Sequence, residues 1–422
     1  MFLVELQARE RAGKPIRVAV VGLGDFGLGV AAQLRQMAGV RLTLGVDLDE
    51  PRAYSALEKA GYGSSGERPV VSRDAASVPA SDADVVVDCT GSTTLGAQLA
   101  LESIRAGKHV VMVNVEADVV VGAALRREAD AAGVVYTTAD GDQPSLTAGL
   151  VEWCRMLGFR VVSAGKGTSL FGPESVRRRM AAGVSWSTVA FLDGTKSQIE
   201  MASVANMTGL AIDTVGFHKP RLTLEQVADT LIPRTNGGLL AGEGVVDFVN
   251  CLGEDDRTVI NHSLVHGVFA VITSDNSETM ELLRGKGCPT SRCGRYALIV
   301  RPYHLCGAET PTSIVQAVLF GKGTGSPLPT PVADVVAVAK RALPAGTLLD
   351  GIGREAVCGV AYPYAVSHAH GMLPVGMAQE VRLARPVAEG GVLTWADLAE
   401  HGTDALWQLR RTQDRLFAHP VA

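Results

Sequence analysis

The feature that most limits what this chain can become is the join after residue 21. Ile16-Arg-Val-Ala-Val-Val21 is a β-branched run, and Gly22-Leu-Gly24-Asp25-Phe26-Gly27 follows it without a spacer. Such a run favours a strand packed inside a sheet. A helical pattern then continues from Leu28 to about Met37. Arg41 to Val46 reads as a second strand, and Asp47 ends it, 20 residues after Gly27. Strand, glycine turn, helix, strand and acid in this order make one unit of a doubly wound parallel sheet that binds a dinucleotide. Gly22 permits the tight turn, Gly24 lets backbone approach the pyrophosphate, and Gly27 lets the helix lie close to the sheet. Asp25 and Phe26 complete the turn. Asp47 is placed for the adenosine ribose hydroxyls, and its charge would repel the 2′-phosphate of NADP. The sequence therefore favours NAD, with Arg52 as a residue that moderates the preference.

The alternation continues along the first half. Asp84-Val-Val-Val-Asp-Cys-Thr90-Gly91 reads as a buried parallel strand with its last two residues at the ligand-binding edge. A helix over about 94–106, a strand over 109–114, a helix over about 122–132 and a strand over 134–138 follow. Asn114 and Glu116, and then Asp142 and Gln143, lie just past strand ends. The first pair is placed for cofactor and the second for substrate.

The middle of the chain holds the candidate chemistry. Arg160 to Thr168 reads as a strand running into Lys166, which has glycine on both sides. Residues 191–209 read as a loop feeding a helix closed by Gly209. Asp193, Lys196 and Glu200 are spaced i, i+3, i+7, which would put them on one side of that helix. Its neighbours are small or apolar, and charges there are costly unless paired or lining a cleft. Two readings stand: a structural ion network, or a proton-transfer cluster in which Lys166 or Lys196 serves a carbonyl oxygen while Asp193 and Glu200 orient it. Arg301 and His304 follow a strand ending at Val300, and His304 would face a pocket or solvent. His262 and His266 have the i, i+4 spacing of a metal pair, but the residues after them read as strand, so no metal site is expected.

Composition narrows the class. The formal charge is −5 with no block of like charges, which argues against a nucleic-acid footprint. Seven cysteines are scattered without a C-x-x-C, as expected in a reducing cytoplasm. The start has an amphipathic helix pattern without the apolar core of a signal peptide. Apolar runs are broken by charges before they reach about 18 residues, so no membrane span is expected.

Pro327, Pro329 and Pro331 mark a boundary, and an internal repeat with a shift of 44 residues lies beyond it. Arg341 pairs with Arg385, Gly346 with Gly390 and Leu349 with Leu393. Two similar strand–turn units imply a small pseudo-symmetric β-module.

Several strings now resemble a known family. Gly22-x-Gly24-x-x-Gly27, Lys108-His-Val-Val-Met-Val-Asn114, Gly141-Asp-Gln-Pro-Ser145, Asp193…Lys196 and Cys306-Gly-Ala-Glu309-Thr-Pro-Thr-Ser313 resemble homoserine dehydrogenases. Ala164-Gly-Lys-Gly167, Asp193-Gly-Thr-Lys196, Glu200-Met-Ala, Ala205-Asn206-x-Thr-Gly-Leu210 and Gly294-Arg-Tyr…Arg301-Pro-Tyr-His304-Leu305 are closer to homoserine dehydrogenase-like proteins with a C-terminal SAF domain. One branch of that subgroup is the reductoisomerase-like enzyme of deoxyxylulose phosphate. The chain departs at Asn114-Val-Glu116, where homoserine dehydrogenases typically carry Asn-Lys. The stretch from Lys166 to Asp193 is shorter than in the reductoisomerase-like branch and contains Arg177-Arg-Arg179, a phosphate site or a solvated helix face.

The resemblance implies an α/β Rossmann domain over 1–150 to which 303–326 return. It further implies an α+β catalytic and oligomerisation domain over 151–302, and a small β module of SAF (β-clip) type over 331–422. It adds Asn206 and Glu309 to Asp142, Gln143, Arg301 and His304 as substrate-binding candidates, and implies a homodimer or homotetramer. The expected activity is NAD(P)-dependent hydride transfer on a small polar hydroxy-carbonyl compound, with or without a phosphate. A homoserine-type dehydrogenase and a non-catalytic dinucleotide sensor remain open beside it.

Overall fold

The computed structural model describes residues 2–63 and 68–417. Contacts divide the chain into two units: Met1–Ser145, Leu305–Pro329 and Thr403–Gln413 form the first, Leu146–His304, Thr330–Gly402 and Asp414–Ala422 the second.

The first unit contains α1 (Phe2–Arg11), β1 (Ile16–Val21), α2 (Asp25–Leu34), β2 (Val40–Val46), α3 (Glu50–Leu57), β3 (Val70–Ser72), β4 (Val85–Asp88), α4 (Thr93–Arg105), β5 (His109–Met112), α5 (Val115–Ala132) and β6 (Tyr136–Thr138). Its six strands are all parallel, in the order β3-β2-β1-β4-β5-β6. Val18 to Val21 are buried without alternation, as a parallel strand covered by helices on both faces requires. The order reverses between β1 and β4, and the crevice at their carboxyl ends is where a doubly wound sheet takes its ligand. α5 starts at Val115, not near residue 122. Asn114 caps it by accepting the N–H of Ala117 at 3.1 Å, and the sequence pattern of valines concealed that start.

α6 (Gln143–Met156) leads the chain out of the first unit. The second contains β7 (Arg160–Thr168), α7 (Pro173–Ala181), α8 (Trp186–Leu192), α9 (Thr195–Thr208), β8 (Ala211–Ile212), β9 (Val245–Asn250), β10 (Val268–Thr273), α11 (Ser277–Gly285) and β11 (Ala297–Arg301), with the short α10 (Val227–Thr230) between β8 and β9. The sheet runs β11-β10-β7-β9-β8. β9 is parallel to β7 and β8, whereas β10 is antiparallel to β7 and β11. α9 is buried on nearly every side although eight of its fourteen residues are polar, so those side chains need partners inside the protein. Two of its polar side chains bind backbone: Thr195 Oγ1 accepts the N–H of Gly359 at 3.0 Å, and Gln198 Oε1 that of Ala361 at 2.9 Å.

The C-terminal repeat lies in this second unit and forms β12 (Ala333–Ala339), β13 (Leu348–Asp350), β14 (Val357–Pro363) and β15 (Gln379–Arg382). β12 pairs with β14 and β13 with β15. Leu343 and Val387, equivalent positions of the repeat, exchange both backbone hydrogen bonds at 2.8 and 2.9 Å. The N–H of Gly346 donates to Leu383, and that of Gly390 donates to Ala339, each at 2.8 Å. Those contacts are also one repeat apart, so the two copies are related by a local two-fold. Both glycines are left-handed (φ 82° and 75°), which only glycine adopts freely. Among the described residues no helix is long and apolar enough to cross a membrane.

Candidate active site

In the first unit the glycine turn closes as the spacing requires. Gly22 has φ 88°, and a Cβ there would lie 2.7 Å from the carbonyl oxygen of Cys89. A Cβ at Gly27 would collide with the carbonyl of Gly22. Gly24 differs, because a Cβ there would meet nothing within 4 Å. Protein packing does not demand glycine at this N-cap of α2, whereas a ligand pressed against the backbone would. The first-turn N–H groups, starting at Asp25 and Phe26, have no helical acceptor and attract an anion. A dinucleotide pyrophosphate fits this cradle.

At the end of β2, Asp47 is buried. Its carboxylate accepts the N–H of Leu23 at 2.9 Å and of Asp49 at 3.0 Å, and Arg52 Nη2 reaches its two oxygens at 2.9 and 2.7 Å. Burial opposes its ionisation, but the Asp49 N–H, the Arg52 guanidinium and the Leu23 N–H outweigh burial and hold the carboxyl below its usual value. The acid expected at the ribose is thus already neutralised by Arg52.

Asp88, which sequence reasoning passed over, ends β4 fully buried. It accepts the N–H of Thr90 at 2.8 Å. Burial pushes its carboxyl up to about 6 against the hydrogen bonds of Thr90 and Asn114. Its signal was an acid closing an all-valine run. Asn114, expected to touch cofactor, is engaged by protein groups on both sides of its amide. It is 1% exposed. Its amide nitrogen donates to the carbonyl of Ser92 at 2.9 Å and faces Asp88 and Thr90 at 3.3 Å, while its oxygen caps α5. It therefore shapes the turn that holds Thr90 and the exposed Gly91. Glu116 is the second residue of α5.

The loop after β6 meets the returning segment. Gly141 is left-handed at φ 87°, and a Cβ there would lie 2.6 Å from the carbonyl of Leu305 and 2.8 Å from Glu309 Cβ. Ser313 Oγ accepts the N–H of Asp140 at 2.8 Å, and Thr310 Oγ1 donates to its carbonyl at 3.1 Å. Asp142, Gln143 and Glu309 are thereby gathered at one edge.

In the second unit Lys166 of β7 and Glu200 of α9 form an ion pair, with 2% and 3% of their side chains exposed. Glycines flank the lysine because backbone crowds it: a Cβ at Gly165 would strike the carbonyl of Asp247, and one at Gly167 that of Leu264. Val268 is in register with Lys166 on one side and Arg301 on the other. The two cations therefore share one cross-strand row and one face, two strand spacings or roughly 9.6 Å apart. The other candidates disperse. Asp193 is not on the helix with Lys196 and Glu200. The chain reverses at left-handed Gly194 (φ 86°), α9 begins at Thr195, and Asp193 pairs with Lys340 of the repeat at 2.6 Å. Lys196 Nζ lies 6.0 Å from the centre of the Phe191 ring.

Asn206, a substrate-binding candidate, is also engaged by backbone. It is 5% exposed, and its oxygen accepts the N–H groups of Val332 and Ala333, both at 2.8 Å. It anchors the start of β12 and has no carbonyl valence left for substrate. His304 Nδ1 lies 2.8 Å from the carbonyl of His266. Lys340 was missed, although it stands where the repeat breaks, opposite Ala384.

Comparison with known proteins follows these two units. Residues 22–138 match the NAD binding domain of homoserine dehydrogenase, and residues 141–310 match the catalytic domain of the oxidoreductase DRL. Homoserine dehydrogenase of Neisseria gonorrhoeae is 31% identical over 110 residues, or 24% of this chain. The chain spans 23% of the length of that curated relative. A probable dehydrogenase from Thermotoga maritima is 16% identical over 73% of this chain and 90% of its own, with a TM-score of 0.42. Myo-inositol 2-dehydrogenase from Lactobacillus plantarum is 13% identical over 73% and 91%, with a TM-score of 0.41. The chain thus carries the two domains of an NAD(P)-dependent oxidoreductase, a homoserine dehydrogenase-type NAD-binding domain and a DRL-type catalytic domain.

Proposed function

We propose that this protein catalyses NAD(P)-dependent hydride transfer to or from a small polar hydroxy-carbonyl compound, with Lys166 exchanging the proton at the substrate oxygen. The observation that carries the reading is the buried Lys166–Glu200 pair. A lysine and a carboxylate are rarely buried together unless geometry or chemistry retains them, because desolvation offsets most of their attraction. Bound nicotinamide supplies or accepts the hydride. In the reducing direction the Lys166 ammonium gives a proton to the carbonyl oxygen as the carbon is reduced, and in the oxidising direction the neutral amine receives the hydroxyl proton and becomes the ammonium. Glu200 holds the lysine in place. Arg301, on the same face, suits an anionic substituent of the substrate, whether carboxylate or phosphate. The DRL-type catalytic domain supports this reading over a homoserine-specific one.

The cofactor preference follows from Asp47 and Arg52. With its charge offset by Arg52, Asp47 repels a 2′-phosphate less, and the chemistry of the guanidinium suits one. We therefore assign use of both NAD and NADP, in place of the NAD preference that Asp47 alone implies.

The test is a reduction and oxidation screen with both cofactors across phosphorylated sugars, hydroxy acids and homoserine. Any substrate found is then tried with Lys166→Met. Turnover by the variant at the native rate defeats the lysine assignment, and no turnover of any hydroxy-carbonyl compound by the native chain defeats the substrate class.

A further inference from the structure

A groove of about 1010 Å³ lies within the second unit, between the α7–α8 hairpin and the repeat, and neither Lys166 nor Glu200 lines it. One wall is apolar, made by Phe171, Val176, Met180, Val184 and Val189. The other carries Lys340, Arg341 and Arg354, and Arg177 of α7 faces the same space. A volume of this size accommodates a small organic ligand.

Its lining carries four cations and four carboxylates, and these are not all paired with one another. Lys340 is held by Asp193, and its Nζ also donates to the carbonyl of Arg354 at 2.8 Å. Asp350 accepts the N–H groups of Glu355 and Ala356 at 3.0 and 3.2 Å. The guanidiniums of Arg177, Arg341 and Arg354 therefore share the groove with the carboxylates of Asp350, Glu355 and Glu389, of which the first is held by backbone and the other two are exposed. Arg354 lies 5.7 Å over the Trp186 ring, which restrains its guanidinium.

The local two-fold indicates that this side of the module is specialised. In the second copy Arg385 is neutralised by Asp397. Asp397 minus the repeat shift of 44 is Gly353, so the first copy has glycine where the acid should stand. Gly353 has φ 74°, and a Cβ there would strike the carbonyl of Trp186. The backbone of α8 thus occupies the place of the missing acid. Arg341, the equivalent of Arg385, is exposed to the groove, and among the described residues its one hydrogen-bond partner is its neighbour's carbonyl at 3.4 Å.

We propose that this groove is a second small-molecule site, for an amphipathic organic anion whose apolar body lies on the α7–α8 wall and whose anionic head meets Arg341 and Arg354. The proposal stands apart from the hydride-transfer reading. It is tested on the full chain with anilinonaphthalene sulfonate as probe, in saturating NAD and NADP so that the dinucleotide site is filled. One equivalent should bind, and the paired change Arg341→Gln with Arg354→Gln should weaken it about tenfold or more, the equivalent of 1.4 kcal/mol. Met180→Glu on the apolar wall should do the same. Lys166→Met should leave binding unchanged, which separates this site from the catalytic one. The altered arginines are exposed, so the paired arginine variant should fold. Absence of saturable binding overturns the proposal, as does native affinity in both groove variants or equal displacement by inorganic phosphate, which has no apolar body.

Discussion

The ammonium of Lys166, on β7, is ion-paired with the carboxylate of Glu200, on α9, although 34 residues separate them and almost none of either side chain reaches solvent. Removing one partner strands the other. Lys166→Met should reduce turnover by about 10³-fold, within the range for a lost proton-transfer group. It should also destabilise the fold by about 3 to 5 kcal/mol, because Glu200 is left buried and unpaired. Lys166→Met combined with Glu200→Met should recover most of that stability and none of the activity. Urea unfolding and steady-state kinetics on the same preparations separate the two effects. Restored turnover in the double variant rules out the catalytic role.

Arg52 and Asp47 set the second expectation. Arg52→Ala uncovers the Asp47 carboxylate, so NADP affinity should fall about tenfold or more while NAD affinity changes little. Fluorescence titration of each reduced cofactor reads this directly. An equal loss for both cofactors makes Arg52 a structural residue only.

The glycine turn separates ligand contact from packing. Gly24→Ala should leave the thermal midpoint of the cofactor-free chain unchanged, since the added methyl has open space, yet weaken dinucleotide binding about tenfold. Gly27→Ala should destabilise the chain by about 3 kcal/mol through backbone collision. Calorimetry with and without cofactor distinguishes the two, and a Gly24 variant that binds normally removes the pyrophosphate from that position.

Asp88 predicts a pH dependence. Its folded carboxyl titrates at about 6, above the ordinary value of 3.8, so the folded state holds the proton more tightly than the unfolded chain. Its favourable contribution is complete below about 3.8 and lost as pH rises through about 6. Asp88→Asn carries no charge to bury, so the stability of the variant relative to the native chain should rise by up to about 3 kcal/mol between pH 4 and pH 8. Denaturant titrations of both proteins across that range check it. A difference that does not vary with pH shows that the carboxyl is not raised by burial.

Local sequence determined the dinucleotide half. Strand period, glycine spacing and the closing acid are set by residues within a few positions of each other, and the parallel sheet from β1 to β6 follows from them. The lysine between glycines was legible for the same reason, since small neighbours report close backbone. What only the tertiary structure decided is which charges meet. Asp193, Lys196 and Glu200 are near in sequence, but the reversal at Gly194 sends Asp193 to Lys340, and the pleat of β7 brings Lys166 to Glu200. Asn206 and Asn114 looked free to bind ligands, yet each satisfies backbone groups that distant segments bury beside it. Charge and hydrogen-bond pairing depend on burial and direction in space, and spacing along the chain encodes neither once the chain turns.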